Sequence, residues 1–134
     1  MGDFTRKVSF EVGSVIRHFK RETVDLKQFP NAYLYRIIAF AKHSETGEHL
    51  VVYESLYSSK GIPGTKQEIP EGYVCARPTE MFFSEVDKEK YPDIKQRYRF
   101  ELANDEYQEP EVHTSEISDF YFRLYKEQEK RNAK

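Results

Sequence analysis

Residues 35–57 read YRIIAFAKHSETGEHLVVYESLY. Two runs rich in β-branched and aromatic residues, RIIAFA and LVVYESL, flank a polar turn of His43, Ser44, Glu45, Thr46, Gly47, Glu48 and His49. Gly47 supplies a position where a positive φ costs little, so the stretch predicts a β-hairpin. In its first strand Ile38 and Phe40 fall on one face and Ile37, Ala39 and Ala41 on the other. A strand apolar on both faces belongs in the middle of a sheet, and its alanines admit a close neighbour. In the second strand Leu50, Val52 and Leu56 alternate with Val51, Tyr53 and Tyr57. Phe40 and Val52 are expected to face the interior.

The other apolar runs are short and need this pair to pack on. Residues 1–12 read as a lead-in, with a short strand around Val8–Val12. Gly13 then precedes Ser14-Val15-Ile16-Arg17-His18-Phe19, where Val15, Arg17 and Phe19 alternate with Ile16, His18 and Lys20. Polar residues 20–32 end in Pro30-Asn31, with Val24, Leu26 and Phe29 available as anchors. Three Gly and two Pro in residues 58–72 predict a long, mobile loop. Residues 73–77 form a fourth strand stopped by Pro78, and a single helical turn after it brings Met81 and Phe82 down onto the sheet. Residues 97–102 alternate Tyr98, Phe100 and Leu102 with Arg97, Arg99 and Glu101, a fifth strand. From Thr114 or Ser115 as N-cap to about Lys130, Ile117, Phe120, Tyr121 and Leu124 mark an amphipathic helix docked on the sheet. Glu116 and Asp119 at its start and Lys130 and Arg131 at its end suit the helix dipole.

A chain of 134 residues suffices for one modest core. With ten Tyr, ten Phe and no Trp, that core must draw on aromatic rings. Cys75 is the single cysteine, so no internal disulfide forms. No apolar run approaches the length of a membrane span, residues 1–14 lack a secretory apolar segment, and a cytoplasmic location follows as the expectation. The net charge of −2 is unevenly spread. Residues 1–43 carry +4, residues 44–100 carry −2 and residues 101–134 carry −4. A +4 segment attracts phosphates, or it is simply one end of a near-neutral protein.

Several strings taken together resemble a bacterial family catalogued as domain of unknown function 1653. They are Gly13-x-x-Ile16-Arg17-His18-Phe19-Lys20, His43-Ser44-Glu45-Thr46, Val51-Val52-Tyr53-x-x-Leu56-Tyr57, Val74-Cys75-Ala76-Arg77-Pro78-Thr79-Glu80-Met81-Phe82 and Arg99-Phe100. The resemblance covers roughly residues 13–57 and 73–101 and implies a small SH3-like β-barrel. This chain departs from the family in its longer connections at 22–34 and 58–72, and in Cys75-Ala76 where members tend to carry Trp. The expected fold is mainly β: an SH3-like barrel with a helical turn before the last strand, plus a C-terminal α-helix. The expected division is 1–102 for the barrel and its lead-in, and 103–134 for an acidic linker and the helix packed on it.

Strand ends collect Arg17, His18, His43, Ser44, Glu45 and Arg77, with Tyr53 and Tyr57 alongside. Arginines grip carboxylates or phosphates through two N–H groups, and histidine titrates near neutrality. The plainer alternative is that Ser44 and Glu45 cap the turn while Arg77 pairs with Glu45 or Glu54. Tyr33, Tyr35, Tyr53, Tyr57, Tyr73 and Phe82 form an aromatic groove or else fill the core. With Arg17, Lys20 and Arg36 nearby, such a groove would stack the bases of a single strand. His43, Glu45, Glu48 and His49 lack metal-site spacing, and no nucleophile elbow, phosphate loop or cofactor motif is present. A non-catalytic module is the first reading, with a small-molecule, peptide or nucleic-acid ligand held at this rim, no membrane, and a monomer or homodimer in solution. The second is a small enzyme on a phosphorylated or nucleotide-like substrate, with His43 as acid/base and Arg17 and Arg77 as clamps. The third is a structural protein that pairs through its C-terminal helix.

Overall fold

A computed structural model of the protein describes residues 10–65, 68–110 and 117–133. Five strands, β1 (Val15–His18), β2 (Leu34–Lys42), β3 (His49–Ser55), β4 (Val74–Pro78) and β5 (Phe100–Leu102), form one antiparallel sheet in the order β4-β3-β2-β1-β5. The hairpin stands as read: β2 is central, its register with β3 runs from Lys42↔His49 to Tyr35↔Ser55, and Gly47 has φ 76°. A 3₁₀ turn (Phe19–Thr23) follows β1, a helical turn α1 (Thr79–Phe82) precedes β5, and a helix α2 (Ile117–Asn132) ends the described chain.

The sheet curls but does not close. β4 and β5 are its two edges and share no ladder, so the expected barrel is an open, curved sheet instead. The reason is short edges and a wedge between them. β5 has three residues, and Phe82 of α1 lies against it, stacked on Phe100 with centroids 4.5 Å apart and planes 5° apart. Phe82, Phe100, Ile16, Ile37, Val51 and Tyr53 make the core of the concave side. Phe10 covers it from the N-terminal side through edge contacts with Phe82 and Phe83. Residues 10–12 are not a strand, and the rest of the lead-in lies outside the described residues.

A bulge in β2 rearranges the expected faces. Ile37 pairs with Tyr53 but Ala39 with Val52, so alternation breaks at Ile38. Phe40 pairs with Val51 near the tip of the hairpin, beyond the packed core, and is 49% exposed. Val52, opposite Ala39, is half-buried on the convex side. Neither residue occupies the interior position expected of it. Met81 likewise points outward, because a four-residue turn directs only Phe82 onto the sheet.

On the convex side Val15, Leu34, Leu56 and Ala103 form a second cluster with Tyr107. Phe19, Val86 and Ile94 form a third with Tyr91. The segment 58–72 is tied down by the buried Ile62 and by Ser59, whose Oγ accepts from the Ile69 N–H at 2.6 Å. In α2 the buried Phe120 meets Tyr73 edge-on at 5.1 Å, and Leu124 is half-buried. The anticipated N-cap and the side chains of Ile117 and Tyr121 lie outside the described residues. Phe122 and Tyr125 are exposed. Among the described residues no helix is long and apolar enough to cross a membrane.

Candidate functional site

Alternation along β1 sends Arg17 and His18 to opposite faces, and that separation divides the candidate residues. His18 turns to the concave side. Its ring stacks on Phe19 at 4.3 Å, meets Phe100 edge-on at 5.1 Å and lies 5.8 Å from Tyr33. Tyr33 continues to Tyr57 at 5.6 Å, and Tyr35 joins Tyr57 and Tyr53 edge-on at 5.8 and 5.2 Å. The Tyr35 and Tyr57 hydroxyls share a hydrogen bond of 3.1 Å. Across the gap between the sheet edges, Arg77 lies over the Phe100 ring at 5.5 Å and donates from Nε to the Tyr53 hydroxyl at 3.3 Å. The result is an aromatic floor of Tyr35, Tyr53 and Phe100 under a half-buried rim of His18, Tyr33, Tyr57 and Arg77.

Tyr33 holds its place at a backbone cost. Its φ is 61°, the left-handed region that a bulky side chain rarely adopts, and it is the one non-glycine residue there among those described. The tight turn at residues 29–34 brings its ring between His18 and Tyr57.

The electrostatics are one-sided. His18 Nδ1 accepts from the Lys20 N–H at 3.1 Å, so the neutral ring carries its proton on Nε2. Burial, followed by the positive charges of Arg77, Lys20 and Arg99, lowers its pKa to about 3. Arg77 and Arg99 thus both act on the His18 ring. The buried Nε of Arg99 has no hydrogen-bond partner among the described residues. Neither Arg77 nor Arg99 forms an ion pair among the described residues, whereas Arg17, Arg21 and Arg97 all do. Arg77 turns from Glu45 and Glu54 to a phenol. Burial raises the pKa of the Tyr57 hydroxyl to about 12 and lifts that of the Cys75 thiol, which Arg77 partly offsets. The tyrosines stay protonated as donors, and the thiol is a weak nucleophile at neutral pH.

Of the residues singled out in the sequence, His18, Tyr53, Tyr57 and Arg77 come together here. Arg17 does not. On the convex side it donates to Glu106 at 2.5 Å, Glu101 at 3.1 Å and Gln96 at 3.0 Å, and Arg21 beside it reaches Glu106 at 3.2 Å. These pairs join the basic first third of the chain to the acidic last third and account for the uneven charge. A cleft of 790 Å³ opens there, but its arginines are already matched with carboxylates. His43, Ser44 and Glu45 sit exposed at the hairpin tip. The His43 Nδ1 accepts from the Glu45 and Thr46 N–H groups, both at 3.2 Å, which makes it the cap of its own turn. Arg99 and Phe100 were absent from the candidate rim. Their one signal was the Arg99-Phe100 pair in the family resemblance, since strict alternation set the two on opposite faces. Among the described residues no three His, Cys, Asp or Glu side chains group to hold a metal ion.

A family described as protein of unknown function (DUF1653) matches residues 14–102. The chain belongs to it. No curated protein and no solved structure matches the chain. The DUF1653 match runs without a break through all five strands and α1, and so includes His18, Tyr33, Tyr35, Tyr53, Tyr57, Arg77 and Arg99. It ends before Glu106 and α2, which lie outside the shared DUF1653 region.

Proposed function

We propose that this DUF1653 protein is a non-catalytic binding module of the bacterial cytoplasm, and that its ligand is an anion held between Arg77 and Arg99 on the aromatic concave face. One observation carries the reading. Among the described residues Arg77 and Arg99 have no carboxylate partner and both oppose protonation of the buried His18, whereas Arg17, Arg21 and Arg97 are each paired with an acid. A buried guanidinium N–H without an acceptor costs about 1–3 kcal/mol, which an anionic oxygen recovers. Nε2 of His18 and the hydroxyl of Tyr57 add neutral donors.

The arrangement favours binding over catalysis. A proton carrier needs a pKa near the working pH, and His18 is far below it. His43, the proton carrier of the enzyme reading, is committed to its turn at the exposed hairpin tip.

Titration with inorganic phosphate, followed by NMR of the His18 imidazole and the arginine Nε groups, tests this. An anion between the arginines offsets their field, so the His18 pKa rises on saturation and the Arg77 and Arg99 Nε signals shift. In Arg77→Gln, binding weakens by about tenfold or more. Phosphate that leaves all three signals unmoved overturns the reading.

A further inference from the structure

Ser59 and Ile69 exchange two hydrogen bonds within the 58–72 segment. The Ser59 N–H donates to the Ile69 carbonyl at 2.9 Å, and the Ser59 Oγ accepts from the Ile69 N–H at 2.6 Å. With Ser59 and Ile62 buried, the two arms of the segment are held side by side. Lys60 on one arm, and Glu68, Ile69 and Pro70 on the other, line a common cavity of 490 Å³. Helix α2 supplies its remaining wall. Phe120 and Arg123, three residues apart, share a face of α2. Phe120 is buried against Tyr73, and Arg123 is exposed at the rim. Among the described residues neither Lys60 nor Arg123 forms an ion pair, although Glu68 lines the same cavity. Two cations and one carboxylate thus surround a floor of Ile69, Pro70 and Phe120, in a cavity of the size that small ligands occupy.

We infer that this cavity binds a small monocarboxylate with an apolar, ring-sized body, its carboxylate between Lys60 and Arg123 and its body on Ile69, Pro70 and Phe120. The walls carry two positive charges against one negative, which matches a single carboxylate, whereas the second charge of a phosphate would be repelled by Glu68. The apolar floor favours a ligand with a carbon body over an inorganic anion, since only the former removes that floor from water. Such a ligand joins two walls that are distant in sequence. Lys60 lies inside the shared family region and Arg123 outside it, so a bound carboxylate adds to the attachment that Phe120 makes between α2 and the sheet. None of these residues belongs to the aromatic concave face, and the inference does not depend on the anion reading there.

NMR titration of the full chain with benzoate, benzyl alcohol and inorganic phosphate tests it, read at the Ile69 methyl and Phe120 ring signals. Benzoate is expected to move both with a Kd of about 1 mM. Benzyl alcohol, the same ring without the charge, should bind about fivefold or more weakly, and phosphate should leave these signals in place. Lys60→Gln and Arg123→Gln should each weaken benzoate about fivefold. Both side chains are exposed, which keeps folding out of the comparison. Arg77→Gln, which removes the proposed concave-face site, should leave benzoate affinity within about twofold, so the two sites fail or stand separately. At benzoate concentrations of about ten times Kd, hydrogen exchange in α2 should slow by about tenfold, because opening the helix breaks the site. Benzoate and benzyl alcohol binding equally, or benzoate binding undiminished in the Lys60→Gln, Arg123→Gln double variant, overturns the inference. So does unchanged exchange in α2 at saturation, or an absence of benzoate shifts at Ile69 and Phe120.

Discussion

His18 shows how one side chain reports on its surroundings. Unfolded, it titrates near 6.5, whereas folded it titrates at about 3, because burial and then Arg77, Lys20 and Arg99 oppose its protonation. Between those values the unfolded chain binds the extra proton. Its contribution to stability is therefore complete above pH 6.5 and is lost as the pH falls toward 3. Midway between the two values the slope approaches the one-proton limit of about 1.4 kcal/mol per pH unit. His18→Asn keeps an acceptor for the Lys20 N–H but cannot titrate, so urea unfolding of this variant should vary less with pH between 6.5 and 4.5 than that of the parent. Identical slopes would mean that His18 is not held neutral. Tyr33 makes the complementary point, since its φ of 61° has no sequence signal: the preference for such a conformation belongs to Gly and Asn, not Tyr.

Among the elements, β5 and the acidic segment after it depend on each other. β5 is three residues long, and Glu101 and Glu106 fasten it and its continuation to Arg17 and Arg21. Arg21 is buried and also donates to the Ala32 carbonyl at 2.8 Å, so its charge relies on Glu106. Glu106→Gln should cost about 2 kcal/mol in chemical denaturation, and a loss below about 0.5 kcal/mol would show the pairs behaving as solvated surface ones. The two helical elements should respond differently. Phe82 is fully buried between Phe100, Tyr53 and Phe83, so Phe82→Ala should destabilise the whole sheet by about 3–5 kcal/mol. Phe120 attaches α2 through Tyr73 beyond the shared family region. Phe120→Ala should speed hydrogen exchange in α2 while shifting the unfolding midpoint of the sheet by no more than about 0.5 kcal/mol. A large shift of that midpoint would make α2 part of the cooperative core.

Among the described residues, the concave face holds the Arg77 charge without an ion pair, and the convex face matches Arg17 and Arg21 with acids. That asymmetry separates the proposed anion site from the scaffold. The five strands in their succession along the chain, the hairpin, the central place of β2 and the helical turn before β5 were all legible in the sequence, because each rests on local alternation, Gly47 or Pro78. The site was only half legible. His18 and Arg77 stood in recognisable strings, and alternation already set Arg17 opposite His18, yet grouping by strand end placed both at one rim. His43 looked like a proton carrier until its own turn supplied two N–H donors. The bulge at Ile38 and the exposure of Phe40 depend on which β3 residue faces which β2 residue, a choice made by packing. The sequence alone determined the elements, since backbone propensity and side-chain period act over a few residues. Only the tertiary structure decided that the sheet stays open, and that Arg77 lies over Phe100 across the gap with no ion pair among the described residues. Charges distant in sequence interact according to where the curvature of the sheet brings them, and no local pattern encodes that curvature.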